Sequence, residues 1–199
     1  MTKDFNQLPA DDQNIEWVKS KISHMYEVDQ YFYKRYRNVP IEHGYTSEER
    51  QYFKKALEEL HNEINVTNTN DIKSLLQIYP WFRISEFGED IDEKAWLLVQ
   101  HADDDPEFQK SILVVLENLV KINETNPTNF AYLFDRVAAS WADPSKRILQ
   151  RYGTQGACVG VNNWEPIPLE DPANLNVRRA SVGLDSIEEY KSLMNGYCH

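Results

Sequence analysis

One histidine and three aspartates fall within five consecutive residues, His101-Ala102-Asp103-Asp104-Asp105, with Pro106 next. An imidazole titrates near neutral pH, so His101 suits general acid–base work, with a neighbouring carboxylate to orient the ring. The structural alternative is a histidine held charged by the C-terminus of the helix before it. A histidine with clustered carboxylates also suits a divalent cation. Three adjacent residues do not converge easily on one ion, however, and Asp105-Pro106 is already explained as a helix start. The spacing is not that of the common calcium loop. No metal and no other cofactor is expected.

Asp29 is the second suspect. It completes an apolar seam of Ile15, Val18, Ile22, Met25, Phe32 and Tyr36. A carboxylate there is either wet, at an exposed helix end, or buried and paired. Arg136, Arg151 and His101 are the partners considered. Asp135 and Arg136 lie well away from the apolar stripe of their own helix, at about 100° per residue. They form either a solvated ion pair or, with Tyr132, one wall of a cleft. Arg151-Tyr152-Gly153-Thr154-Gln155 gathers a guanidinium, a phenol, a hydroxyl and an amide around a glycine. Such donors suit a carboxylate, phosphate or amide, or they serve a turn's own backbone. The segment lacks the lysine and glycine spacing of a phosphate loop. Arg178-Arg179 reads as a pair of surface salt-bridge partners. No Gly-x-Ser-x-Gly elbow occurs, and neither cysteine sits in a motif with a histidine.

Helices must carry these residues. The alternation of three and four along the Asp29 seam predicts an amphipathic helix over 14–37. Asn38–Tyr45 reads as a loop. Thr46-x-x-Glu49 is a capping box for a helix running to about Ile64. Asn65–Asn70 reads as a polar linker, and Asp71 starts a short helix that Pro80 stops. The run Trp96-Leu97-Leu98-Val99 is apolar in every direction of a helix, which predicts a buried central helix ending at His101. Asp105-Pro106 and Asn126-Pro127 start the next two helices. Gln150–Leu169, with its glycines and β-formers, reads as a β-hairpin turning at Asn162-Asn163. Asp171-Pro172 and Ser186-x-x-Glu189 open two short helices. The fold expected is mainly α, about six or seven helices with one small hairpin near the C-terminus. It is taken as a single domain over 1–199, with 1–13 frayed, N-terminal helices over 14–66 and the remainder over 71–194. The first helix is expected to pack on the helices of 90–142, and the 150–155 segment to reach the end of the central helix.

At 199 residues, 41% hydrophobic and 12% aromatic, the chain can build a core. Its formal net charge of −11 opposes general nucleic-acid binding and anionic membrane surfaces. No run approaches the roughly 18 apolar residues of a membrane span, and the polar N-terminus does not read as a signal peptide. Cys158 and Cys198 have no zinc-type spacing and make no disulfide framework. The expectation is a soluble cytoplasmic protein with reduced cysteines.

The segment Ala95-Trp96-Leu97-Leu98-Val99-Gln100-His101-Ala102-Asp103-x-Asp105-Pro106-x-Phe108-Gln109 has ordered companions. They are Tyr132-Leu133-Phe134-Asp135-Arg136-Val137, Tyr152-Gly153-Thr154-Gln155, Glu170-Asp171-Pro172 and Arg178-Arg179-Ala180. Over about residues 79–190 this set resembles a bacterial family known only as domain of unknown function 6624. The resemblance implies that His101, Asp135, Arg136, Arg151, Tyr152 and Gln155 belong to one motif set, and it implies no activity. Many members of that family carry a second histidine where this chain has Asp104, so the resemblance does not imply any two-histidine metal site here. Two functions follow. The first is a ligand-binding or protein-interaction module. Asp29, Asp135, Arg136, Arg151, Tyr152 and Gln155 would serve a small anionic or amide group of a small molecule, peptide or protein. The second is a metal-independent hydrolase or transferase with His101 as general acid or base.

Overall fold

The computed structural model describes residues 11–37, 44–141 and 143–198. The frayed segment expected at the N-terminus and the loop expected after residue 37 lie largely outside them. Among the described residues there are eight α-helices and one two-stranded antiparallel sheet near the C-terminus. The protein is therefore mainly helical with a single hairpin, as its periodicity predicts. Its contacts gather into two compact units, Met1–Ala102 and Asp103–His199.

In the first unit, α1 (Ile15–Arg37) packs on α2 (Ser47–Leu76) and on α4 (Glu89–Gln100), and α2 also packs on α4. A short α3 (Ile84–Phe87) precedes α4. The seam of α1 is the buried one, with Val18, Ile22 and Met25 all inside. The Thr46–Glu49 capping box opens α2 as expected. The helix does not stop at Ile64, however. It runs for 30 residues, straight through the polar segment read as a linker. The hydroxyls of Thr67, Thr69 and Ser74 each donate to the carbonyl four residues back, so their polarity is absorbed within the helix. The buried positions His61, Asn68, Ile72 and Leu75 also keep a helical period across the segment. In α4, Ala95, Leu98, Val99 and Gln100 are buried, while Trp96 and Leu97 are partly covered. Asp92 is buried too and accepts from the Trp81 indole at 2.7 Å. The helix ends at His101, whose φ of −90° and ψ of 0° lie between the helical and extended basins.

In the second unit, α5 (Pro106–Val120) packs on α6 (Pro127–Ala139). Their predicted N-caps are in place. Asp105 accepts from the Phe108 amide and Asn126 from the Thr128 amide. The strands β1 (Gly156–Gly160) and β2 (Asn163–Pro166) pair antiparallel, and Asn162 takes a positive φ at the turn. Gly156 has no room for a side chain. A Cβ there would stand 2.3 Å from the Trp164 ring and from the Glu165 carbonyl. After α7 (Leu175–Ser181) comes α8 (Ile187–Asn195), which packs on β2. Trp164 meets Tyr190 edge-on, and its amide donates to Asn195 at 2.7 Å. The Asn162 amide donates to the Cys198 carbonyl at 2.7 Å.

This docking overturns the expectation of two reduced cysteines. Cys158 and Cys198 are joined, with Cα atoms 5.4 Å apart across 40 residues of sequence. The return of the chain after α8 onto the hairpin brings them together, and neither local spacing nor a paired motif announces it.

Candidate functional site

Three helices of the first unit bring Asp29, His61 and His101 to one point. Asp29 sits on α1, in the buried seam, and is fully inaccessible. It is therefore not the wet carboxylate of an exposed helix end. Within its own unit it is paired, and the pairing considered with His101 is present. Its Oδ1 lies 2.8 Å from His101 Nδ1 and 3.2 Å from His61 Nε2. Its Oδ2 accepts from the Gln30 amide at 2.8 Å. An ionised carboxylate only accepts, so each ring presents an N–H to it in this state. Burial pushes the Asp29 carboxyl up, but the bonds from His101 and His61 outweigh it and hold the group well below the usual carboxylate range.

The rings are oriented by packing as well as by the carboxylate. Tyr33, one turn along α1 from Asp29, stacks on His101 with centroids 5.3 Å apart and planes 27° apart. It also lies tilted against His61 at 5.8 Å. The two imidazoles meet edge-on, 5.7 Å apart. His61 is buried on α2, whereas the His101 side chain retains 13% exposure. A ring nitrogen from each histidine and a carboxylate oxygen from Asp29 all lie within 4.8 Å of one another. Chemically, this set can orient an imidazole, accept a proton or ligate a cation.

His61 is the residue that sequence reasoning missed. The signal was available, because a polar side chain on the buried stripe of α2 is the same anomaly that singled out Asp29 on α1. Ending the helix at Ile64 hid the stripe.

The other candidate residues come together in the second unit, around Asp135. This carboxylate is also fully buried. It accepts the amides of Arg151 at 2.8 Å, Tyr152 at 3.1 Å and Thr154 at 2.8 Å, as well as the Thr154 hydroxyl. Burial pushes the Asp135 carboxyl up, and these bonds offset only part of that rise. Gln150 continues the lock, donating to the carbonyls of Gln155 and Ile167 and accepting from the Gln155 amide. Arg136 is bound to Asp103 through Nε and Nη2, and it donates to the Gln155 side chain at 3.1 Å. Arg151 pairs with Glu170 and lies 4.2 Å from the Phe134 ring centre. Tyr152 is buried against Phe130 and Phe134. Of the pair 178–179, Arg178 is part-buried and forms a salt bridge with Asp171 at 3.3 Å, whereas Arg179 is not a surface residue. Arg179 is 1% exposed and donates to the carbonyls of Tyr152 and Asp185. Arg178 donates to those of Arg151 and Asp171. The 150–155 segment is thus a turn clamped by side chains from α6 and α7.

The family of unknown function DUF6624 matches residues 41–198. The chain belongs to that family. In this DUF6624 protein the match takes in His61 and His101, while Asp29 precedes it. No curated protein and no solved structure matches. Among the described residues, no helix is long and apolar enough to cross a membrane.

Proposed function

We propose that this DUF6624 protein is a binding module whose centre is the Asp29–His61–His101 cluster, taking a small anionic or amide group. The observation that carries the reading is the convergence of two imidazoles on one buried carboxylate oxygen. A buried carboxylate is costly to keep, and two histidines are a labile way to satisfy it compared with an arginine. His101 is the part of the cluster that solvent reaches, so a ligand would meet it first. Arg136, Arg151, Tyr152 and Gln155 support this reading less strongly, because each is engaged within its own unit. The acid–base reading keeps one specific support, since a carboxylate at Nδ1 is the arrangement that orients a histidine for proton transfer at Nε2. The Cys158–Cys198 link suits an oxidising compartment better than the cytoplasm.

The test is a titration of the full chain with small carboxylates, phosphates and primary amides, read on the imidazole ¹⁵N and ¹H signals. The expected result is that at least one class shifts the His101 ring signals and that His101→Gln abolishes the binding. Binding that persists unchanged in His101→Gln, or no response at His101 to any class, would overturn the reading.

A further inference from the structure

We propose that Asp29 Oδ1, His61 Nε2 and His101 Nδ1 form a three-ligand site for one divalent transition-metal ion of the zinc class. The inference rests on the reading of this cluster as the binding centre, and it names what the centre takes first. The open coordination positions of the ion would then receive the oxygen of the anionic or amide group.

Donor chemistry is the first argument. Two imidazoles with one carboxylate are a set that borderline divalent ions prefer, and three protein ligands leave positions open. Geometry is the second. An ion bonded at about 2.0–2.1 Å places neighbouring donor atoms about 3.0–3.4 Å apart, depending on coordination number. The two carboxylate-to-ring separations are 2.8 and 3.2 Å, and one ligand atom from each of the three residues lies within 4.8 Å of the other two. Moving the proton of His101 from Nδ1 to Nε2 and that of His61 from Nε2 to Nδ1 gives the neutral tautomers whose lone pairs face the carboxylate oxygen in place of the N–H groups. Charge is the third. Asp29 is fully buried, and the titratable side chains bonded to it within its unit are these two histidines. A divalent ion would supply the positive charge that neutral imidazoles do not.

The surroundings hold the donors as a metal site requires. The three come from α1, from α2 and from the end of α4, three elements packed on one another within a single unit. Tyr33 contacts both imidazoles and limits their rotation. The Gln30 amide bonds to Asp29 Oδ2, which leaves Oδ1 as the coordinating oxygen. The site needs no histidine at position 104, because α2 brings the second one from forty residues upstream.

The experiment is a Co²⁺ titration of the chelator-treated full chain, followed by visible absorption and by paramagnetic ¹H NMR. The expected result is one ion per chain, d–d absorption bands of a low-coordinate site, and hyperfine-shifted ring protons from two histidines. Zn²⁺ should displace the Co²⁺, and Mg²⁺ and Ca²⁺ should not. The bands should vanish in His61→Ala and in His101→Ala, each checked for retained helicity, and persist in His24→Gln, which alters an exposed histidine of α1. The NMR signature of the unmodified chain decides the matter even if a variant fails to fold. Absence of stoichiometric binding, a signature from fewer than two histidines, or bands that survive His61→Ala would each overturn the proposal. If the metal fails while metal-free protein still binds small anions at His101, the metal site alone is wrong. If both fail, the cluster is not a binding centre.

Discussion

Asp29 and Asp135 are both fully buried, and their environments are opposites. Asp135 is surrounded by backbone. Three amides and a hydroxyl of the 151–154 turn donate to it, so removing the carboxylate would unmake the turn. Asp29 is surrounded by side chains. Two imidazoles and a glutamine amide satisfy it, and both rings can change proton, tautomer or partner without moving the main chain. Backbone donors are fixed in number and polarity, so a carboxylate serving them is part of the scaffold. Histidine donors are conditional, which is the property a binding centre needs. The difference shows in the direction of titration. Burial prevails at Asp135 and raises it, whereas the ring bonds prevail at Asp29 and lower it.

The sharpest way to break this comparison is by truncation. Asp135→Ala leaves three buried amides without their acceptor and should cost about 3–5 kcal/mol in urea unfolding. Asp29→Ala leaves two imidazoles that can adopt neutral tautomers and should cost about 1–2 kcal/mol. A reversed order would mean that Asp29 is the structural residue of the two.

A smaller effect is expected on the acid limb. Asp29 lies below its ordinary value of 3.8 in the folded chain. Its contribution is therefore present above that pH and is lost as the pH falls below it. The stability gap between the parent and Asp29→Asn should narrow on going from about pH 5 to about pH 2, by at most about 1.4 kcal/mol per pH unit. Asp135 is raised, so its sign is opposite. The folded chain holds that proton longer than the unfolded one, and the gap between the parent and Asp135→Asn should fall as pH rises above about 3.8. Urea midpoints across this range measure both, and slopes of the same sign would remove the electrostatic half of the contrast.

The smallest effect concerns His101→Gln. A side chain that serves a binding centre contributes little to folding. The thermal midpoint should stay within about 2 °C of the parent, whereas a drop of more than about 5 °C would place His101 with Asp135 in the scaffold.

Much of the helical framework was legible before folding. The capping boxes at Thr46 and Ser186 and the N-caps at Asp105 and Asn126 are local signals, complete within four residues, and all four are realised. The hairpin was legible for the same reason, from its glycines and β-formers. The run 65–70 was misread because Asn and Thr oppose helix formation only until their side chains find acceptors, and here the hydroxyls of Thr67 and Thr69 find them one turn back. Of the candidate site, Asp29 and His101 stood out alone, Asp29 as a misfit in an apolar seam and His101 as a titratable end to an apolar helix. His61 did not, because its stripe was cut short.

The sequence by itself determined where the helices begin, which face of α1 is buried and that a carboxylate lies on that face. All of these depend on spacings of three and four residues, which a helix fixes locally. Only tertiary structure decided what meets that carboxylate. It set His61 and His101, respectively 32 and 72 residues away, against one oxygen. It gave the arginines considered for that role to Asp103 and Glu170, and it joined Cys158 to Cys198. Partner choice over such distances follows from how helices pack and where the chain returns, and no local pattern encodes it.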